Sequence, residues 1–226
     1  ALHNLPGYKK GTVVLKEGTF TAAVHSLKVE LLGKTAHAGE PQFGVNPAMA
    51  IAELIQVFNS WNINDATNPD FTLITPIQIQ MGDSAYGVSA GSGFASFTLR
   101  CASNAQMVEL EKKAAAFANA LAVKHGLKAV LSWHEGFSAN ENDTSCVQAV
   151  REACKIEGIK VQDKKEPFTW GEDFGLFTAN YKGAMFGIGA GEKCPALHNP
   201  DYDFPDELID PAIRVFYQTI LQFIDV

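Results

Sequence analysis

Apolar and polar positions along the chain fall into two textures. From Ala23 to Leu32, Leu27, Val29 and Leu31 alternate with Ser26, Lys28 and Glu30, the period of a half-buried strand. Asn46-Pro47 then opens a helix, since Asn caps well and Pro suits the first helical position, and Ile51, Leu54, Ile55 and Phe58 follow as one apolar stripe. Phe71, Leu73, Thr75, Ile77, Ile79 and Met81 resume the two-residue period, and Gly82-Asp83 marks a turn. Phe97, Leu99 and Cys101 form the strand that should pair back as a hairpin. Ser103 with Gln106 predicts a capping box for a helix carrying Met107, Leu110, Ala114, Phe117 and Leu121 and ending at Gly126. Leu127, Ala129, Leu131 and Trp133 complete a fourth strand.

The order β-α-β-β-α-β over Ala22 to Gly136 is that of a ferredoxin-like unit, in which two helices cover one face of a four-stranded antiparallel sheet. The other face stays partly open, so the unit could bind a ligand independently or pair with a twin through an uncovered edge.

After Gly136 the pattern becomes irregular. Asn140-Glu141-Asn142-Asp143 reads as a polar link and helix cap, and Val147, Val150 and Cys154 line a helix that stops at Gly158. A Gly/Pro-rich stretch follows with Gly171-Glu172-Asp173-Phe174, a short buried strand near Ala184 to Ile188, and a tight loop around His198. Asp210-Pro211 starts a last helix expected to turn Ile213, Phe216, Ile220 and Phe223 to the core.

Composition narrows the class. The 226 residues, 46% hydrophobic and 19% charged, suit a soluble globular protein of one or two domains. Lys and Arg number 18 against 25 Asp and Glu, a net charge of −7, and no basic run meets phosphates, which excludes nucleic acid as a partner. No apolar run approaches the roughly 20 residues that span a bilayer, so no membrane partner is expected. Ala1 to Lys10 has neither signal-peptide order nor an initiator Met, and the chain is expected to be cut at its N-terminus. Cys101, Cys146, Cys154 and Cys194 show no CxxC pairing, which favours buried reduced thiols and a cytoplasmic setting.

His198 carries the sharpest chemical signal, as a metal ligand delivered by a tight loop before the last helix. A catalytic metal needs several ligands plus an open position, and the convincing companion in the sequence is His3. His25, His125 and His134 have spacing that no metal site demands.

Five groups of residues together resemble one family: Ala1-Leu2-His3-Asn4-Leu5-Pro6; Gly33-Lys34-Thr35-Ala36-His37-Ala38 with Pro41; Asn46-Pro47; Gly171-Glu172-Asp173-Phe174; and Ala196-Leu197-His198-Asn199-Pro200 with Asp203 and Glu207. The family is the metal-dependent amidohydrolases and carboxypeptidases that include hippurate hydrolase, N-acyl-amino-acid amidohydrolases and auxin-conjugate hydrolases. The resemblance runs from end to end in family order. It implies an α/β zinc-peptidase-like catalytic domain, only partly present (1–21 and 137–226), interrupted by an α+β ferredoxin-like lid (22–136) that makes a homodimer.

Two divalent metals, zinc ahead of manganese, cobalt or nickel, would be held by His3 and His198 together with a Cys-x-His motif absent here. A Glu-Glu pair, also absent, would supply the general base. His37 would reach the twin's active site and stabilise the oxyanion, and Arg100 would receive the substrate carboxylate. Relatives place an Asn where Gly87 stands, which puts substrate preference in question. Glu172 and Asp173 lie near the metals or brace a loop. The parent enzyme would hydrolyse the amide of N-acyl amino acids or short peptides, and this chain alone would be inactive; the alternative is a non-catalytic dimerisation or small-molecule-binding module.

Overall fold

Strand and helix alternate through most of the chain, and a computed structural model describes them over residues 1–224. The chain opens with β1 (Leu2–Pro6), β2 (Val13–Leu15) and β3 (Gly18–Thr21). It continues through β4 (Ala23–Leu32), β5 (Ala36–His37), α1 (Ala48–Ser60), β6 (Thr72–Met81), β7 (Val88–Ser89), β8 (Ser92–Cys101), α2 (Asn104–Lys124) and β9 (Lys128–Phe137). It ends with β10 (Asn140–Asn142), α3 (Thr144–Ile156), β11 (Val161–Asp163), α4 (Gly175–Thr178), β12 (Phe186–Gly191) and α5 (Ile209–Leu221). Two compact units result. The middle unit is Ala22–Ser138 with Thr169–Gly171; the flanking unit is Ala1–Thr21, Ala139–Phe168 and the chain from Glu172 onward.

In the middle unit β6-β8-β4-β9 form one antiparallel sheet in that order. The alternation in the central strands has a direct physical outcome: Leu27, Val29 and Leu31 of β4 and Ala95, Phe97 and Leu99 of β8 are all buried. Ile51, Leu54 and Phe58 of α1 and Met107, Leu110 and Ala114 of α2 are buried as well, with the Phe58 and Phe97 rings edge to face at 4.9 Å. Asn46 Oδ1 accepts the Ala48 N–H at 2.8 Å and so caps α1. Ser103 and Gln106 make both halves of the capping box of α2, which Gly126 ends at φ +68°.

The last strand runs on to Phe137, which pairs with Val24 at the start of β4. Strand β6 lies at the sheet edge with Ile77 and Ile79 exposed (62% and 54%), and its pairing shifts register between Pro76 and Gln78. Proline is tolerated there because an edge strand has fewer ladder bonds to lose.

The flanking unit has a mixed sheet ordered β1-β12-β2-β11, with β1 parallel to β12, β12 antiparallel to β2, and β2 parallel to β11. Val13, Leu15, Val147, Val150, Cys154, Phe186 and Val215 make its main core cluster. The chain crosses close over β12 where Gly11 N–H donates to Gly189 O and Gly189 N–H to Thr12 O, at 2.9 and 2.8 Å. A Cβ on Gly189 would sit 2.1 Å from Lys9 O, so only glycine permits this approach.

Two sequence expectations fail in this unit. Asn140–Asn142 is a strand paired with β3, not a link. Asn142 is buried because its side chain replaces water: Nδ2 donates to Lys16 O and Met185 O, and Oδ1 accepts from Met185 N–H. Asp143 does cap α3, accepting from Ser145 and Cys146 N–H.

The second failure is α5. Ile213 and Phe223 are 60% and 65% exposed, and Phe216 and Ile220 are exposed too; Val215 is the buried residue. At about 100° per residue, the larger stripe lies about 120° round the helix from Val215. Val215 and Ala212 meet the core clusters, and of the larger stripe Phe216 reaches the core from its edge, its ring 5.4 Å from that of buried Phe186.

Candidate functional site

Strand β1 positions His3, opposite Gly187 of β12. His3 Nδ1 lies 2.7 Å from Asn4 O, and since a carbonyl only accepts, Nδ1 carries the hydrogen. In the neutral ring Nε2 then presents a lone pair. That nitrogen sits 3.3 Å from Glu172 Oε1, with both side chains about a quarter exposed (23% and 28%). Glu172 O accepts the Gly175 N–H at 3.3 Å at the start of α4. Glu172 is thus brought to His3 by the fold, a pairing that the Gly171-Glu172-Asp173-Phe174 motif signalled without specifying.

His198 occupies the third position of a turn closed by Asn199 N–H donating to Ala196 O at 3.1 Å, and its φ is +67°. A left-handed conformation at such a position favours Gly or Asn, and His198 adopts it at some backbone cost. The side chain is exposed. Asn4, next to His3, donates from Nδ2 to the hydroxyl of Tyr202, which ties the His3 strand to the chain just after the His198 loop.

His37 and Arg100 belong to the middle unit. His37 lies in β5, paired with Val88 of β7, and its Nδ1 accepts the Gly39 N–H at 3.0 Å. An accepting Nδ1 puts the hydrogen of the neutral ring on Nε2, an exposed donor. Gly87 O accepts from Ala38 N–H at 2.9 Å, and a Cβ at Gly87 would meet no atom within 4 Å. Arg100 donates from Nη1 to Thr169 O at 2.9 Å, and burial pulls its pKa below the ordinary guanidinium value.

The remaining histidines have local partners: His25 with Glu111 at 2.6 Å, His125 with Glu53 at 2.9 Å and His134 with Ser132 at 3.0 Å. The four cysteines are free, and burial pushes the Cys101 and Cys154 thiols up to about 11. Among the described residues no three His, Cys, Asp or Glu side chains gather as a metal-holding group, and no helix is long and apolar enough to cross a membrane.

Known proteins give this arrangement a setting. The N-acetyl-L-cysteine deacetylase of Bacillus subtilis is 28% identical over 226 residues, covering 99% of this chain and 53% of that protein. An N-acetyldiaminopimelate deacetylase of Bacillus licheniformis is 28% identical over 216 residues, 95% of this chain and 57% of its own length. The chain thus spans little more than half of these curated relatives.

In fold, the chain is similar to a putative aminohydrolase from methicillin-resistant Staphylococcus aureus, with a TM-score of 0.83 and 17% identity over 99% of this chain and 58% of that one. It is also similar to a dinuclear metal-binding peptidase of Bacillus subtilis, with a TM-score of 0.78 and 20% identity over 98% and 56%. The sequence pattern of peptidase family M20/M25/M40 matches residues 1–222, nearly the whole length, and the chain belongs to that family.

Proposed function

We propose that the protein carrying this sequence hydrolyses the amide bond of N-acyl amino acids or short peptides, with N-acetyl substrates foremost, by a site holding two divalent metal ions, zinc first among them. The observation that carries the reading is His3: its Nδ1 is tied to Asn4 O, and its Nε2 faces a carboxylate oxygen at 3.3 Å. An imidazole of fixed tautomer beside a carboxylate is a donor set that suits zinc and its neighbours. The deacetylase names of the relatives support the acyl group. Ions bound there would polarise an amide carbonyl and lower the pKa of water.

The chain's own residues supply the rest of the reading. His198 is the second imidazole ligand. His37, with Nδ1 occupied by Gly39 N–H, donates from Nε2 to the oxyanion that forms at the twin subunit's site as the amide carbonyl becomes tetrahedral. Arg100 receives the substrate carboxylate with the guanidinium donors that Thr169 O does not take. The general base and further ligands lie outside the described residues.

The middle unit acts as a ferredoxin-like lid, a role its strand order supports, and pairs with a second copy. Exposed Ile77 and Ile79 on edge strand β6 support that pairing.

Assays of the complete protein on N-acetyl and N-benzoyl amino acids, with and without a chelator, test this. Chelation should abolish turnover. His37→Ala should lower kcat by about 10²–10³ with bound metal unchanged; loss of metal in that variant would make His37 a ligand and end its proposed role. The 226-residue chain supplied with Zn²⁺, Mn²⁺ or Co²⁺ should show no turnover, and activity traceable to it would remove the claim that the base lies elsewhere.

A further inference from the structure

The middle unit holds a cavity of about 470 Å³ between the end of α1, the chain leading into β6 and the first turns of α2. That volume falls within the range of small-molecule sites, about 300–1,000 Å³.

Its walls are fixed by the fold. The Trp61 ring packs on Phe58 and Phe117, with centroids 5.0 and 5.7 Å apart, so the indole cannot swing away. Ile63 N–H donates to Thr72 O at 2.8 Å, and the Gln106 amide donates to Pro69 O at 2.7 Å, which ties the connecting chain to β6 and to α2. Trp61, Ile63 and Leu110 give the cavity an apolar body. Ile63 is 39% exposed, an apolar side chain that an occupant would cover.

The rim carries three charged side chains, Asp70, Glu109 and Lys113. Glu109 accepts from Lys112 at 2.8 Å and Asp70 from the Gln106 amide at 3.4 Å. A carboxylate has about four lone-pair sites, so one contact leaves each able to accept more. Glu109 and Lys113 are spaced as helix neighbours, yet Lys113 Nζ stands 3.9 Å over the Trp61 ring. Its ammonium is thereby held at the cavity with donors to offer.

Two negative charges against one positive select the occupant by sign. A simple carboxylate would meet Lys113 but face a rim that is negative in sum, and a simple amine would meet the carboxylates but face Lys113. A zwitterion matches both signs while its side chain covers the apolar body. We propose that this cavity binds a free α-amino acid with an apolar or aromatic side chain, its carboxylate on Lys113, its ammonium on Asp70 or Glu109, and its side chain against Trp61, Ile63 and Leu110. Amide hydrolysis of an N-acyl amino acid releases a molecule of the same class, but the chemistry of the cavity stands without that reaction.

The test titrates the ¹⁵N-labelled 226-residue chain with L-phenylalanine through the millimolar range and follows the three indole N–H resonances, Trp61→Phe identifying the one that matters. The Trp61 resonance should shift saturably, while those of Trp133 and Trp170, which do not line the cavity, stay still. Phenethylamine, which lacks the carboxylate, and 3-phenylpropionate, which lacks the ammonium, should each bind at least about 5-fold more weakly. Lys113→Met should raise the Kd for phenylalanine by a similar factor and leave phenethylamine bound no more weakly than before. No saturable shift at Trp61, equal affinity for phenylalanine and either analogue, or a phenylalanine Kd unchanged in Lys113→Met overturns the proposal. The comparison of the three ligands on the wild type keeps the test decisive should the variant fail to fold.

Discussion

The middle and flanking units reach their folds by opposite routes. The middle unit takes nearly all its residues from one run of chain and pairs every strand of its main sheet antiparallel, β6 with β8 across one short connection and β4 with β8 and β9 across longer ones. The flanking unit gathers three runs and sets β1 beside β12 and β2 beside β11 in parallel, pairings that join distant parts of the sequence. The proposed metal ligands His3 and His198 lie in the second kind of unit, and His37 and Arg100 in the first. Long-range topology brings His3 beside Glu172, whereas His37 has its partner two residues away at Gly39.

That contrast can be broken in the core first. Phe97, 1% exposed and against Phe58, should cost about 3–5 kcal/mol as Phe97→Ala. Trp61, Trp133 and Trp170, the three tryptophans of the chain, all belong to the middle unit, so indole fluorescence follows its unfolding selectively. In the flanking unit, Asn142→Ala strips partners from Lys16 O and both backbone groups of Met185 and should cost about 2–3 kcal/mol. Read by the methyl resonances of Val147 and Val150, that loss should exceed the shift in the fluorescence midpoint. Equal shifts in both readouts, for both variants, would mean that the units melt as one and that the contrast is geometric only.

A smaller effect sharpens the point with pH. The Ser145 hydroxyl, then the Cys146 and Ser145 N–H groups, hold the Asp143 carboxyl below the usual aspartate range. A depressed folded pKa stabilises above the unfolded value, about 3.9, and the benefit disappears as pH falls through the folded one. Hydrogen exchange in the first turn of α3 should therefore quicken below about pH 4, and Asp143→Asn should flatten that acid limb. An unchanged limb would assign the acid sensitivity of α3 to other groups.

How much of this was legible depends on whether polarity and exposure coincide. In β4 they do, and alternation alone places Leu27, Val29 and Leu31 inside. In β10 they part: Asn142 is buried with its amide met by the backbone of Lys16 and Met185, Asn140 is buried with Nδ2 donating to the Thr21 hydroxyl, and a polar tetrapeptide reads as a link. In α5 the period is correct and the face is wrong, because sequence gives the stripe and packing decides which neighbour it meets. The two-residue pairing of β5 with β7, which carries His37, is too short to leave a period at all. Glu172 was visible as a member of a motif, but its partner is set by the approach of two segments that no local pattern connects.

The pairing of Val24 with Phe137 has a consequence for how such a protein can be rearranged. The main segment of the middle unit enters and leaves through adjacent strands, which lie about 5 Å apart in a sheet. A host chain bridging that gap needs only a short loop, so the whole segment can be exchanged, shortened or removed as a cassette without moving the strands on either side.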